Sequence, residues 1–373
     1  MRIVFYTDQL HTHGGIEKVL SLKLNYFGSN SDYEVILLTT QQDGKPFCYD
    51  VPESIQHIDL GIKYNRARSY FSPGNLLKTM VHSRSLRKTL RRILPDVVIV
   101  CNYDPGFYVI PSMRGFRSVK EFHSSQFWRT QSHNVKGLKR LVYKRQLKAE
   151  KKYDALVVLH KEEAGFFSSG KTWVIPNPVE LTPNYTAELT NKKVLFVGRL
   201  APVKGLDRMI RVWESVCKSH PDWELHLFGD DFSGTRTKLE TQITASKTQG
   251  TVRFMGSVTN IRQVMSEYSM LLMTSLSECF PMVILEAFSV GLPVVAFDVP
   301  TGPRNIITHG KNGMLVPDGD AETMAGEVEA LIRNTEKRSI LGANAKADSS
   351  QYALNTIMKA WEEMLETLLE NDK

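Results

Sequence analysis

Two acids and two cations in the second half of this 373-residue chain have the types and spacing to handle a ligand that is both charged and hydroxylated. In Ser275-Leu276-Ser277-Glu278-Cys279-Phe280-Pro281-Met282-Val283-Ile284-Leu285-Glu286-Ala287 the proline suits the first turn of a helix. The N–H groups of Met282 and Val283 would then lie at a helix N-terminus, where unsatisfied donors and the helix dipole attract an anion. Glu278 falls in the loop just before this helix and Glu286 more than a turn into it. Carboxylates repel phosphate but accept hydrogen bonds from hydroxyls, so the pair suggests a ligand with a diphosphate and a polyhydroxylated part. Upstream, Phe196-Val197-Gly198-Arg199-Leu200-Ala201-Pro202-Val203-Lys204-Gly205 carries Arg199 and Lys204 on a loop that leaves a strand and enters a helix, which suits a clamp on a diphosphate. Taken singly, each of these residues is also an ordinary surface cation or helix-face acid.

In the first half, Gly14-Gly15 stands at the mouth of a helical pattern and would let a phosphate approach backbone N–H groups; a plain flexible turn is the bland alternative. No G-x-G-x-x-G and no G-x-x-x-x-G-K-[ST] follows, which disfavours a nicotinamide or flavin cofactor and a P-loop. Cys48, Cys101, Cys217 and Cys279 are scattered and have no His cluster beside them, which argues against a disulfide framework and a zinc site. The start, Met1-Arg2-Ile3-Val4-Phe5-Tyr6-Thr7-Asp8, turns polar too soon for a signal peptide, and no apolar run approaches a spanning helix. A cytoplasmic location is expected.

The elements that must position these residues alternate short β-branched runs with helical patterns, as a parallel sheet wrapped by helices does. Strands are expected at 2–7, 34–40, 55–60, 97–100, 118–122 and 155–159, with a helix marked by Ile16, Val19, Leu20, Leu24 and Phe27. Thr172-Trp173-Val174-Ile175-Pro176-Asn177-Pro178-Val179 closes the series, since its prolines continue neither helix nor central strand. A second series follows: strands at 194–197, 224–228, 252–255, 270–274, 293–297 and 314–316, and helices at 206–218, 261–268 and 281–290. The stretch 352–369 reads as an amphipathic helix through Leu354, Ile357, Met358, Trp361, Met364, Leu365 and Leu368. The expected architecture is two Rossmann-like α/β domains, 1–178 and 179–353, with a C-terminal helix at about 354–373 packing back on the first. Ligands bind such domains at the carboxyl ends of the strands.

Taken together, Gly14-Gly15, the Asn-Pro-Val linker, Gly198-Arg199-Leu200…Lys204-Gly205, Glu278-x7-Glu286, Gly291-Leu292-Pro293-Val294-Val295-Ala296, Thr301-Gly302-Pro303-Arg304 and Gly310-Lys311-Asn312-Gly313-Met314-Leu315-Val316 resemble a family 4 glycosyltransferase, retaining and of GT-B fold. The resemblance is nearly continuous from 194 to 316 and thinner in the first domain, and it implies two domains facing across a central cleft. It implies that Arg199 and Lys204 hold the nucleotide diphosphate and stabilise it as leaving group. It implies that Glu286 accepts from the ribose, and that Glu278 and the backbone around Phe280, Pro281, Met282 and Val283 hold the donor sugar and its phosphate. Gly198 belongs to the donor loop, Gly14 and Gly15 would close on the diphosphate, and His123, in Lys120-Glu121-Phe122-His123, aligns with a histidine near the transferred sugar. A structural hydrogen bond is the plainer reading of a histidine at a strand end. No metal is implied, and Gly229-Asp230-Asp231 is not taken as a metal-binding D-x-D. Two departures from the family pattern stand out: Cys279-Phe280-Pro281 where many relatives have Gly-Phe-Gly, and Asn305 where an acid often follows Thr-Gly-Pro-Arg. The variants look closest to bacterial surface-polysaccharide enzymes that use UDP-sugars, so a UDP-hexose or UDP-N-acetylhexosamine donor and a lipid-linked or oligosaccharide acceptor are expected.

The net charge of +7 is uneven: residues 1–180 hold 27 Lys/Arg against 16 Asp/Glu, and the remainder 20 against 24. The stretches 78–92, with Arg84, Arg87, Lys88, Arg91 and Arg92, and 136–152, from Lys136 to Lys152, read as basic amphipathic helices suited to an anionic membrane surface, or as plain solvated faces. The second reading of the chain, a basic nucleic-acid-binding protein, would interleave aromatics with the cations, whereas these stretches are aliphatic. Among enzymes the alternative is a nucleotide-sugar epimerase or hydrolase on the same fold.

Overall fold

The computed structural model describes residues 1–66, 68, 72–101, 110–131, 137–167, 170–181 and 184–370. Lys136, in the second basic stretch, lies outside them. The chain divides into two compact units, Met1–Pro178 together with Ile357–Lys373, and Val179–Thr356.

The first unit is built on seven parallel strands: β1 (Arg2–Thr7), β2 (Glu34–Thr39), β3 (Gln56–Asp59), β4 (Val97–Val100), β5 (Arg117–Glu121), β6 (Ala155–Val158) and β7 (Thr172–Val174), in the order β3-β2-β1-β4-β5-β6-β7. The runs Ile3-Val4-Phe5 and Val97-Val98-Ile99-Val100 are fully buried, as strands covered on both faces must be. Helix Gly15–Gly28 links β1 to β2 and helix Pro73–Ile93 links β3 to β4. The C-terminal helix, Leu354–Glu370, buries Ile357, Met358, Trp361, Met364 and Leu365. It starts at Leu354, as expected for the C-terminal helix, after a separate 3-10 turn at Ser349–Tyr352.

The second unit has six parallel strands: β8 (Lys193–Val197), β9 (Glu224–Phe228), β10 (Val252–Gly256), β11 (Met270–Met273), β12 (Val294–Asp298) and β13 (Gly313–Pro317), in the order β10-β9-β8-β11-β12-β13. Numbered from its own first strand this is 3-2-1-4-5-6, the Rossmann order, and the first six strands of the other sheet repeat it. The core packs Trp213, Met209, Val212 and Val216 of helix Leu206–Ser219 and Met324, Val328 and Leu331 of helix Ala321–Arg333 on the sheet.

Three expectations are corrected. Thr172–Val174 is a strand after all: it sits at the edge and pairs only with β6, so the prolines beyond it cost no ladder bond. The helix expected to reach Tyr268 ends at Ser266, and Tyr268 is buried with its hydroxyl 2.8 Å from Nδ1 of His226. The helix expected from Pro281 runs from Met282 to Ser289, with Pro281 at the N-cap in an extended conformation.

Candidate active site

In a doubly wound sheet the chain runs away to opposite sides from the first and fourth strands, which leaves a crevice at their carboxyl ends. In the second unit those strands are β8 and β11, and the loops leaving them are Gly198–Gly205 and Ser275–Pro281. They meet there: Nζ of Lys204 lies 2.7 Å from Oε1 of Glu278, with the lysine side chain 24% and the glutamate 12% exposed. The first loop is pressed against the second. Thr274 donates its hydroxyl to the carbonyl of Gly205 at 2.9 Å, and Leu276 N–H donates to the carbonyl of Val203 at 2.8 Å. Gly205 has φ +59°, and a Cβ there would fall 2.2 Å from the carbonyl oxygen of Thr274, so only glycine permits this approach. Gly198 has φ +154°, a backbone conformation that favours glycine, and the Lys204 stem packs beside it.

Glu278 is also held through its backbone. Its carbonyl accepts from the N–H groups of Thr301 (2.7 Å) and Gly302 (2.9 Å), and its own N–H donates to Pro300. The Thr301-Gly302-Pro303-Arg304 segment thus braces the acid. Asn305, the departure noted above, donates its amide to the carbonyl of Thr301 at 2.8 Å and so fixes this brace. Phe280 is buried edge-on against Tyr352. Met282 and Val283 are the first two residues of helix Met282–Ser289, which no side chain caps, and Glu286 is buried on the same helix. Arg199 is exposed, its guanidinium 5.5 Å above the ring of Phe232. Asp230 accepts from the hydroxyl of Ser257 at 2.8 Å and Asp231 from the N–H of Arg236 at 2.9 Å, so each of these acids already has a protein partner.

Gly14, Gly15 and His123 belong to the first unit, at the carboxyl ends of β1 and β5. Gly14 is extended, Gly15 opens the helix, and the carboxylate of Glu17 folds back over Gly14, where it also accepts from Gln9 at 2.8 Å. The chain's own acid therefore stands at the helix mouth, the place expected for a phosphate. Nε2 of His123 lies 3.3 Å from Oε2 of Glu121, whose other oxygen is paired with Lys23, and both partners of that pair are buried. Sequence reasoning passed over Lys23 and Glu121. The available signal was that Lys23 falls on the same helical face as Val19, Leu20 and Phe27, where a solvated lysine has no place.

Residues 180–348 match the family model described as "Glycosyl transferases group 1". A glycosyltransferase of Haemophilus influenzae, itself described as uncharacterized, is 26% identical over 98% of this chain and 99% of its own length. The exopolysaccharide phosphotransferase of Streptomyces coelicolor is 32% identical over 58% of this chain, which spans only 24% of that longer protein. The crystal structure of S. aureus TarM G117R in complex with fondaparinux, α-GlcNAc-glycerol and UDP superposes with a TM-score of 0.77 at 16% identity, covering 98% of this chain and 99% of that one. The fold expected from the sequence is thus the fold found, two Rossmann-like units of the GT-B type, and the second unit is similar to the group 1 glycosyl transferases over residues 180–348.

Proposed function

We propose that this enzyme is a retaining glycosyltransferase of the family 4 type that moves a hexose or N-acetylhexosamine from a UDP-sugar to a saccharide or lipid-linked acceptor in surface-polysaccharide synthesis. The observation that carries the reading is the contact between Lys204 and Glu278 at the switch point of the second sheet. A cation and an acid side by side suit a ligand whose diphosphate and sugar hydroxyls are adjacent. UDP in the TarM complex and the exopolysaccharide relative support the donor and the pathway class.

Lys204 and Arg199 would neutralise the departing diphosphate, helped by the N–H groups of Met282 and Val283, and this stabilisation of a leaving group supplies most of the rate. Glu278 would hold the sugar hydroxyls and Glu286 the ribose. The acceptor oxygen attacks the anomeric carbon on the face the diphosphate leaves, the C–O bond to phosphate breaks, and a phosphate oxygen takes the acceptor's proton. Neither glutamate then needs to act as a nucleophile, in contrast to the carboxylate pair of a glycoside hydrolase. Fixed cations take the place of a metal in this scheme.

The acceptor is carried at a membrane surface on this reading. On helix Pro73–Ile93, Leu77 (62%), Met80 (52%) and Val81 (56%) are exposed on one side, and the exposed Arg84 and Lys88 continue the same stripe. Apolar residues beside cations fit an anionic bilayer, to which each cation contributes about 1 kcal/mol. Among the described residues no helix is long and apolar enough to cross a membrane.

The test is a panel of UDP-, GDP- and ADP-sugars scored by thermal shift and then by transfer. A ligand at about 100 times its Kd raises stability by about 2.7 kcal/mol. Stabilisation by GDP- or ADP-sugars and not by UDP-sugars would overturn the donor assignment, and turnover without acceptor would favour a hydrolase or epimerase.

A further inference from the structure

The first unit buries a chain of charges. Lys23 of helix Gly15–Gly28 is ion-paired to Oε1 of Glu121, the last residue of β5, with side-chain exposures of 1% and 2%. The ammonium also lies 3.9 Å from the centre of the Trp361 ring, on the C-terminal helix. Oε2 of Glu121 is buried and accepts no hydrogen bond of good geometry from the rest of the described chain; its ionic partner is Nε2 of His123 at 3.3 Å. Burial alone would push the Glu121 carboxyl up, but the charge of Lys23 beside it outweighs it and holds the group well below the usual carboxylate range. Beside it, burial and then the charge of Glu121 push the Cys101 thiol up, so the thiol keeps its proton.

A buried ion pair of this kind is weak evidence for stability, since apolar residues of the same volume commonly serve as well. Its geometry accounts for something else. An ionised oxygen facing an imidazole nitrogen at 3.3 Å favours a proton on that nitrogen, and that preference decides which ring nitrogen carries it.

We propose that Glu121, held by Lys23 beneath Trp361, is a positioning residue for His123: it fixes the imidazole as the Nε2–H tautomer and leaves Nδ1 as an acceptor for a hydroxyl of the transferred sugar. The C-terminal helix thereby takes part in orienting the site through Trp361. The inference rests on the reading of His123 as a residue beside the donor sugar.

The experiment uses the full-length protein with 15N-labelled histidine, the His123 ring signals being assigned by their loss in His123→Asn. The wild type is expected to show the Nε2–H tautomer at neutral pH. Glu121→Gln, which can present an N–H to the same nitrogen, is expected to shift the ring toward Nδ1–H. It is also expected to lower kcat for transfer about a hundredfold, the scale of a small misplacement at a reacting centre, with the UDP dissociation constant unchanged. Lys23→Arg, which keeps the cation, retains kcat, and Lys23→Met loses it. An Nδ1–H tautomer in the wild type, or unchanged kcat in both Glu121→Gln and Lys23→Met, overturns the proposal. If Glu121→Gln does not fold, the wild-type tautomer and the Lys23 pair still decide. If the wild type transfers no sugar, the functional reading fails separately, because the tautomer measurement needs no turnover.

Discussion

Lys204 and Glu278 stand 74 residues apart in sequence and 2.7 Å apart in space, joined across the two loops that flank the switch point of the second sheet. Each is the other's counter-charge, so the two are expected to act as a unit. Lys204→Ala and Glu278→Ala should each lower kcat/KM by about 100- to 1000-fold, the cost of removing one preorganised charge at a reacting centre. The double variant should lose little more than either single one. Circular dichroism and steady-state transfer check this; near-wild-type rates in either single variant would remove both residues from the site.

Metal independence is the second expectation. Asp230 and Asp231 each engage one oxygen, with Ser257 and Arg236, and the cations that would hold a diphosphate are side chains. Isothermal titration of a UDP-sugar should give one Kd in EDTA and in magnesium. A large gain with magnesium would reassign the turn at 229–231.

The loop bearing Lys204 depends on Gly205. Gly205→Ala combines a positive φ with a collision against the Thr274 carbonyl, and is expected to cost about 2 kcal/mol or more in urea unfolding. Activity should fall further than stability at temperatures where the variant is still folded, because the same shift moves Lys204.

Acid sensitivity should trace in part to His82. Tyr6 and Tyr64 flank its ring nitrogens at 2.7 and 2.9 Å, and burial holds the imidazole down at about 4, against a slight pull upward from Asp8. The unfolded chain takes up this proton as pH falls through 6.5 and the folded chain only near 4. Between those values the unfolded state binds the extra proton, so stability is full above pH 6.5 and is lost on acidification, by about 3 kcal/mol in all. In His82→Gln the urea midpoint should be flatter from pH 6.5 to 4.

Vesicle binding tests the exposed stripe on helix Pro73–Ile93. Replacing Leu77, Met80 and Val81 by Gln should weaken sedimentation with anionic vesicles at every salt concentration, whereas Arg84→Gln with Lys88→Gln should reduce the salt dependence. Equal sedimentation of wild type and variants with anionic vesicles would remove this stripe from the membrane contact, and no sedimentation of the wild type would remove the membrane from the picture.

Strands with a dense apolar run bounded by polar residues, such as Arg2–Thr7, Val97–Val100 and Glu224–Phe228, lie where the sequence puts them, because burial on both faces leaves a continuous signal. Helix Thr235–Ala245 passed unread: Leu239 and Ile243 are its only buried apolar residues, too few for a period to show. Thr172–Val174 was obscured because it is only three residues long and is followed closely by Pro176 and Pro178. At the site, the placement of Glu278 in a loop and Glu286 on a helix followed from Pro281. The pairing of Glu278 with Lys204 did not, since nothing local announces a contact between loops of two different strands. The pairing of Glu121 with Lys23 was hidden for the same reason, since the two lie 98 residues apart.

The chain enters the second unit at Val179 and leaves it past Ala353, and these two residues form a parallel bridge, with Val179 N–H on the Tyr352 carbonyl and Leu354 N–H on the carbonyl of Val179. The second unit is therefore an insert whose two ends meet. One such cassette could be exchanged for another without moving the points where the host chain leaves and rejoins its own fold, so recombination at these two points offers a route by which a lineage could trade one second unit for another while leaving the first intact.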